Sequence, residues 1–415
     1  MKRISLFLLL FLLLKATVMY SQDGHPETNF RIVPVSPNAA SLGTFGMIPT
    51  DNYVGQANLT IPIYEIDLDG KKFPIALSYH TDGTRVAQEA TWIGLGWTLQ
   101  AGGCVVRQVQ GTDDFAARGC YNLTDAPWLT NPRFEVTDQN LEKYMGYFKG
   151  DYDAEPDMFY FNAGGHSGSM YFDVLKNNRQ LNAVPTIQTQ EKVVKMVYNT
   201  SNKTWTMTDL EGYVYSFSTK EITYYFLNTI DFFQTDITRS HIFPYYNEPQ
   251  IVTAWMLDSV TSPNGGKIMF SYKKESIFTP ISTTEDVISL SKIVNGQLSS
   301  QSPQYFTNKF NYNYSYSKIE QWTLSAITFE GGKVEFGTTD REDIESAETG
   351  KKVQKLSSIK VSDTAGNLIK TTMLEYKYLL SGMAATTNGY DDRLLLSKVY
   401  DVAGSKKNNV YTMDY

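Results

Sequence analysis

One pattern returns four times in the second half of this chain, and it leaves few folds open. Leu257-Asp258-Ser259-Val260 leads through Pro263-Asn264-Gly265-Gly266 to Lys267-Ile268-Met269-Phe270-Ser271-Tyr272. Leu324 to Ile327 leads through Gly331-Gly332 to Lys333-Val334-Glu335-Phe336, and Leu356 to Ile359 passes Asp363 and Gly366-Asn367 on the way to Glu375-Tyr376. Leu396 to Val399 passes Gly404 on the way to Tyr411 and Tyr415. Each unit reads Leu-x-x-Ile/Val, a glycine turn, then a strand ending in an aromatic ring, which is the grammar of a β-hairpin. A lone hairpin cannot bury its apolar face, so neighbouring hairpins must stack, and an extended or curled β-array is expected.

The first half follows the same period of two. Leu59 to Leu68 and Lys71 to Tyr79 flank Asp69-Gly70, a dipeptide that favours a type I′ turn, with Phe73, Ile75, Leu77 and Tyr79 on one face. Pro62 and Pro74 cannot donate to a ladder and should mark an edge or a bulge. Trp205 to Ser218 is a related hairpin turning at Asp209 and Gly212. Between about Lys273 and Glu320 the chain is rich in Ser, Thr, Asn, Gln and Tyr, and is expected to be a polar surface excursion carrying short strands. One connector helix is expected at Asp138 to Phe148, where Leu141, Tyr144, Met145 and Phe148 share a face behind a Thr137 or Asp138 cap. The fold class is all-β: an antiparallel, hairpin-rich, sandwich-like module over 22–275, the polar excursion over 276–320, and a hairpin array over 321–415.

Residues 1–21 read differently. Lys2-Arg3, the apolar run Ile4 to Leu14 and a small residue at Ser21 make the layout of a secretory signal peptide, cleaved between Ser21 and Gln22. A run of eleven residues is too short to span a bilayer, which takes about 20. No later stretch reaches that length, and no Cys stands near the cleavage site to carry a lipid. Export to the outer surface or the medium, via the periplasm, is expected. With 37 Lys+Arg against 44 Asp+Glu the net charge is −7, and loss of Lys2, Arg3 and Lys15 takes it to −10. Such a chain has no electrostatic footprint for nucleic acid or an anionic membrane. Its 28 Tyr, 22 Phe and 6 Trp exclude bulk disorder.

Candidate chemistry is sparse. Asp151, Asp153, Glu155 and Asp157 place carboxylates at every second position, the spacing with which a calcium loop supplies oxygens. Pro156 stands where the sharp-turn glycine belongs and Asn162 where a bidentate Glu would be, so a charged loop edge is the competing reading. No other cofactor is implied. Cys104 and Cys120 either pair in an oxidising compartment or stand as two separate buried thiols; zinc is excluded by so few Cys and scattered His. Gly94-Leu95-Gly96 lacks the third glycine of a dinucleotide loop, and reads as Gly-dense turns flanking a short strand with Trp92 and Trp97 packed on the sheet. Gly165-His166-Ser167-Gly168 lacks the final glycine of a nucleophile elbow and reads as a hairpin turn. A hydrolase would have to draw on His25, His80, His166 or His241 beside a Ser or carboxylate. Exposed Tyr and Trp would suit a glycan, against the plainer role of aromatics as strand residues.

Several blocks together resemble the N-terminal region of the large exported RHS/YD-repeat proteins of Bacteroidetes-type bacteria. They are Pro37 to Gly43, Gly55 to Tyr64, Pro74 to His80, Thr91 to Gly103, Glu155-Pro156-Asp157-Met158-Phe159 with Gly165 to Gly168, and the Leu-x-x-Ile/Val hairpins, spanning about 37 to 415. A remoter resemblance is to the β-shell parts of toxin-complex proteins. The resemblance implies a β-rich module leading into hairpin repeats that wind into a hollow shell, often around a variable C-terminal toxin. It implies no catalytic residues. The chain reaches Tyr415 before any long run of repeats, so a protein partner or a further repeat-bearing segment is expected to dock on the terminal hairpin at Val410, Tyr411 and Tyr415. The expected function is a non-enzymatic exported scaffold. A cell-surface glycan- or partner-binding module is the alternative, and a secreted hydrolase the third reading.

Overall fold

In the computed structural model the described residues are 33–47, 59–80, 88–111, 113–116, 119–122, 141, 153, 155–173, 185–188, 194–230, 250–290, 293–294, 297–298, 307–379, 392–403 and 406–415. The proposed signal peptide, the expected helix at Asp138 to Phe148 apart from Leu141, and Asp151, Trp128, His25 and His241 lie outside them. The chain divides into two units, one of residues 1–32, 109–157 and 172–182, the other of 33–108, 158–171 and 183–415. In the first unit the described residues include a single 3-10 turn, Cys120–Asn122. There Tyr121 meets Phe172 edge-on, with centroids 5.3 Å apart, and Phe115 lies 5.2 Å from Tyr121.

All strands among the described residues belong to the second unit, and the chain is all-β, with an eleven-residue helix, α1 (Pro37–Met47), in that unit. The strands follow in order: β1 (Leu59–Leu68), β2 (Lys71–Tyr79), β3 (Trp97–Gln100), β4 (Gly103–Gln108), β5 (Met158–Ala163), β6 (His166–Tyr171), β7 (Thr186–Ile187) and β8 (Val194–Asn199). Next come β9 (Thr204–Asp209), β10 (Val214–Ile230), β11 (Ile251–Thr261), β12 (Lys267–Phe278), β13 (Ser282–Leu290), β14 (Ile293–Val294), β15 (Gln297–Leu298) and β16 (Thr307–Phe329). The last are β17 (Gly332–Asp340), β18 (Glu345–Ser346), β19 (Gln354–Ser362), β20 (Leu368–Leu379), β21 (Arg393–Ala403) and β22 (Lys406–Thr412).

The first hairpin forms as its turn chemistry dictates, β1 pairing with β2 through Asp69 (φ 53°) and Gly70 (φ 92°). Pro62 stands at a register shift on the edge strand β1. Pro74 lies on β2 beyond the rungs to β3, which run only from Ala76 to Tyr79. Both prolines therefore avoid the ladder positions that would need an N–H.

The four repeated units are four hairpins, β11–β12, β16–β17, β19–β20 and β21–β22. Their Leu-x-x-Ile/Val spacing hides a second device. In an unbroken strand residues three apart face opposite sides, yet all eight Leu and Ile/Val positions are buried. Each unit carries a bulge one residue after the Leu: the pairing passes over Asp258, Ser325, Ser357 and Ser397. The extra residue resets the phase of the strand and bends it. In three of the units its polar side chain serves the opposite strand: Ser325 donates to the Ser271 carbonyl at 2.9 Å, Ser357 to the Gly337 carbonyl at 3.0 Å, and Asp258 accepts from Ser218 and Thr219.

Repeated bending closes the sheet. β10 pairs with β11, β11 with β12, β12 with β16 and β16 again with β10, so the ladder returns on itself as a closed barrel. The 23-residue β16 makes this possible, pairing with β13, β10, β12 and β17 along its length. Within 276–320 the described residues are largely strand, the end of β12, β13 and the first part of β16, and alternating Tyr and polar residues suit a strand. The boundaries at 275/276 and 320/321 fall inside β12 and β16. The module leads into the hairpin array within one sheet, where β12 pairs with β16.

The core of this sheet is aromatic. Trp205 on β9, Trp255 on β11, Phe159 on β5 and Tyr198 on β8 enclose one another, with Phe159 5.3 Å and Tyr198 4.8 Å from Trp205. Trp255 Nε1 donates to the Lys203 carbonyl at 2.8 Å, which satisfies the one polar atom such a ring brings inside. Helix α1 packs on β3, β4, β5 and β6. No helix is expected here from the sequence; Ser36 caps it ahead of a proline at the first helical position, its Oγ accepting from Ala39 N at 3.2 Å.

Candidate functional site

The terminal strand β22 pairs with β21 and, among the described residues, with no other strand. All seven of its residues are exposed, and Val410, Tyr411 and Tyr415 stand at 53%, 43% and 54%. A bulge interrupts it where Asn409, at φ 49°, and Val410 face the single residue Tyr400. Asn409 Nδ2 donates to Asp401 Oδ2 at 2.8 Å and holds that turn of the backbone. The free edge is therefore two short pieces, Lys406 to Asn408 and Val410 to Thr412, a form that limits indiscriminate pairing. Tyr415 is anchored: Trp97 Nε1 donates to its hydroxyl at 2.8 Å, and that hydroxyl donates to the Leu396 carbonyl at 2.9 Å.

Behind this edge the Trp92 to Trp97 block wedges against β21. Leu95 N donates to the Leu394 carbonyl at 2.8 Å, and Leu356 N to the Trp92 carbonyl at 2.9 Å. Gly94, at φ 121°, lies where a Cβ would come within 2.9 Å of Leu396 N, so only glycine fits. A buried ion pair locks the block: Arg341 donates to Asp343 at 2.8 and 2.7 Å and to the Thr91 and Ala90 carbonyls. Asp343 also accepts from Leu394 N at 3.0 Å.

A second polar knot holds the hairpin turns. Lys71 Nζ meets Asp209 Oδ2 at 2.6 Å and Glu211 at 3.0 Å, and Tyr215 donates to Asp209 Oδ2 at 3.0 Å. Burial works against the Lys71 cation, but its bonds to Asp209 and Glu211 outweigh this and raise its pKa. Asp209 is pulled below the usual carboxylate range, its burial being offset by Lys71. His166 Nε2 stands 3.8 Å from Asp209 Oδ2, beyond hydrogen-bond reach. The hairpin turn near it is at Gly164-Gly165, two residues earlier than the sequence suggested, and His166 begins β6.

Of the four carboxylates at calcium-loop spacing, Asp153, Glu155 and Asp157 are described and Asp151 lies outside the described residues. Asp157 is fully buried, accepting from Gln110 N at 2.7 Å, while its own N donates to Asp114 Oδ2 at 2.6 Å. Asp153 is buried and accepts from Glu155 N at 2.9 Å, and Glu155 faces outward. Among the described residues no three His, Cys, Asp or Glu come together to hold a metal ion. Cys104 and Cys120 do not pair; both are free and buried. Cys104 points into the core beneath α1 among Ala39, Val106, Ala254 and Met256, where burial, and next the nearby Glu221, push its pKa up. Of the described tryptophans, Trp92, Trp97, Trp205 and Trp255 are buried. Trp322 is half-buried, its Nε1 donating to the Lys220 carbonyl at 2.7 Å.

Sequence reasoning missed the interior of the closed sheet. Glu221 on β10 has no exposed surface; its Oε1 accepts from Ser36 N at 2.8 Å and Thr253 Oγ1 at 3.0 Å, and its Oε2 has no partner. Glu275 on β12 accepts from Gln321 Nε2 at 3.4 Å through Oε2, and its Oε1 has no partner. Burial raises the pKa of both carboxyls, Glu275 to about 7. Gln321 in turn accepts from Asn38 Nδ2 at 3.5 Å.

No family model matches this chain, and no curated protein matches it. Among solved structures it is similar to the N-terminal domain of the effector protein SpvB from Salmonella typhimurium strain LT2, at 11% identity over 84% of this chain and 99% of that one, with a TM-score of 0.37. It is also similar to the Tc holotoxin pore of Photorhabdus luminescens (10% identity, TM-score 0.38) and to the TcdB2-TccC3 structure (12%, 0.35). It covers 92% and 95% of itself in these two, and 16% of each of those chains.

Proposed function

We propose that this chain is a non-enzymatic, exported β-scaffold, the N-terminal part of an RHS/YD-repeat-type shell or surface assembly of the kind that delivers toxins, and that it takes its partner along β22. The observation that carries the reading is the terminal strand, solvent-exposed throughout and paired on one side, with Tyr415 tied to Trp97 so that the edge is held in place. Backbone N–H and C=O groups on such an edge recruit a further strand, from a later segment or another chain. The polar groups of the Lys71–Asp209 knot are bonded to one another and brace turns, which supports a scaffold rather than a hydrolase.

The test removes the edge and spares the core. Leu394 to Leu396 are buried, so a cut at Leu394 would take out core residues. Deletion of Lys406 to Tyr415 should leave a folded chain that no longer co-purifies, in affinity capture from culture with intact mass measurement, with the repeat-bearing protein held by the full chain. Equal recovery of that protein by the truncated chain, or recovery of the full chain only as a monomer, would overturn the docking reading.

A further inference from the structure

Two buried glutamates converge on one element, the strap formed by Val33 to Ser36 and helix α1. Glu221 accepts from the strap's backbone at Ser36 N, and Thr223, two residues along the same strand, donates to the Pro34 carbonyl at 2.9 Å. Glu275 reaches the strap through Gln321 and Asn38, and Asn38 Oδ1 accepts from Trp92 N at 2.9 Å. Each glutamate keeps one oxygen buried without a partner. That arrangement suits a neutral carboxyl and penalises a carboxylate, because an ionised group needs its oxygens bonded or paired with a cation.

We propose that Glu221 and Glu275 form a latch that holds the Val33–Met47 strap on the sheet while both are protonated and loosens it when they ionise. The strap covers an apolar floor of Cys104, Val106, Ala254 and Met256, with Val35, Ala39 and Leu42 packed onto it. Loosening it uncovers Cys104.

The groups facing the two acids set the direction. Glu221 faces Ser36 on the strap, Thr253 on β11 and Cys104 on β4, none of them a cation. Glu275 faces Lys273 on its own strand, Gln321 on β16, the backbone of Gln354 at the start of β19, and Arg341 between β17 and β18. The two cations favour its carboxylate, yet burial outweighs them and its pKa stands near 7. Burial raises the Glu221 carboxyl as well, against the hydrogen bonds from Ser36 and Thr253 that favour its charge, so both groups hold their protons above the usual carboxylate range. The latch is closed in mild acid and weakens above neutrality.

Cys104 supplies the readout. The full chain bearing Cys120→Ser is labelled with a small maleimide at pH 6.0 and 8.5, and its rate is divided by that of a free cysteine peptide at the same pH. The corrected rate at Cys104 should rise at least tenfold between the two values. In Glu221→Gln/Glu275→Gln, where neutral amides replace the acids, it should change less than twofold. A flat corrected rate in the parent, or the same rise in the double variant, would overturn the latch. Hydrogen exchange on the unmodified chain guards against a variant that fails to fold: amides 36–43 should lose protection at pH 8.5, beyond the intrinsic change, while those of β16 keep it. Equal loss at β16 would mean global unfolding and would also overturn the proposal.

Discussion

The second unit contains two buried polar clusters that solve the same problem differently. At Arg341 and Asp343 every charged group is answered: the guanidinium meets one carboxylate and two carbonyls, and the carboxylate meets the guanidinium and a backbone N–H. At Glu221 and Glu275 the carboxyls are as well hidden, but each leaves an oxygen unmatched and neither has a salt bridge. The first arrangement can be charged at no loss of bonding, so it fixes the geometry of the Trp92 to Trp97 block. The second is comfortable only while neutral. Satisfied networks rigidify, and partly satisfied ones stay responsive.

The sharpest way to break this comparison is to unbalance the satisfied cluster. Asp343→Ala leaves Arg341 buried without its counter-ion and Leu394 N without an acceptor, and should cost about 3–5 kcal/mol in urea denaturation. Replacing both partners, Arg341→Met with Asp343→Leu, should cost less than the single change because no lone charge remains buried. If the double variant proves the weaker, the carbonyls of Ala90 and Thr91 matter more than the charge, and the contrast with the glutamates fails.

The second prediction works on the responsive cluster. The Glu275 carboxyl titrates at 4.5 in an open chain and near 7 when folded, so the native state binds more protons across that interval. Stability should therefore be full below about pH 4.5, fall as pH rises through 7, and level off above it, by about 2–3 kcal/mol for this group alone. Denaturation of Glu275→Gln at pH 5 and pH 8 should show that slope removed. An unchanged slope would mean that the burial of Glu275 carries no electrostatic penalty.

What the sequence disclosed follows the range over which each feature is encoded. The hairpins were readable because their signals are local, in Asp69-Gly70, Asp209 to Gly212 and the glycine turns of the four units. The bulges are written in the same units, since a Leu and an Ile or Val three apart can both be buried in a strand only if an extra residue intervenes. Helix α1 carried its start in Ser36-Pro37 and was obscured by Gly43 and Gly46 within it. The length of the strands within 273 to 320 was not legible, because a polar and aromatic composition fits an exposed strand as well as a loop. The glutamate latch was out of reach for a different reason: Ser36 and Glu221 are 185 positions apart, and Asn38 and Gln321 are 283 apart. Only closure of the barrel brings them together.

The smallest expected effect tests whether the docking edge belongs with the rigid cluster or the responsive one. Tyr415 is more than half exposed, yet its hydroxyl bridges Trp97 Nε1 and the Leu396 carbonyl, next to strands that the Arg341–Asp343 pair already holds. Burial dominates its titration and, with the nearby Tyr79, raises it to about 12, so the hydroxyl keeps its proton throughout the working range. Tyr415→Phe removes both bonds and retains the ring against Tyr79, which sits 6.3 Å away. A loss of about 1 kcal/mol is expected, equal at pH 5 and pH 8, because no titrating group is involved. A loss that grows with pH would instead couple the edge to the glutamates, and the terminal strand would then share in the latch rather than stand on the fixed frame.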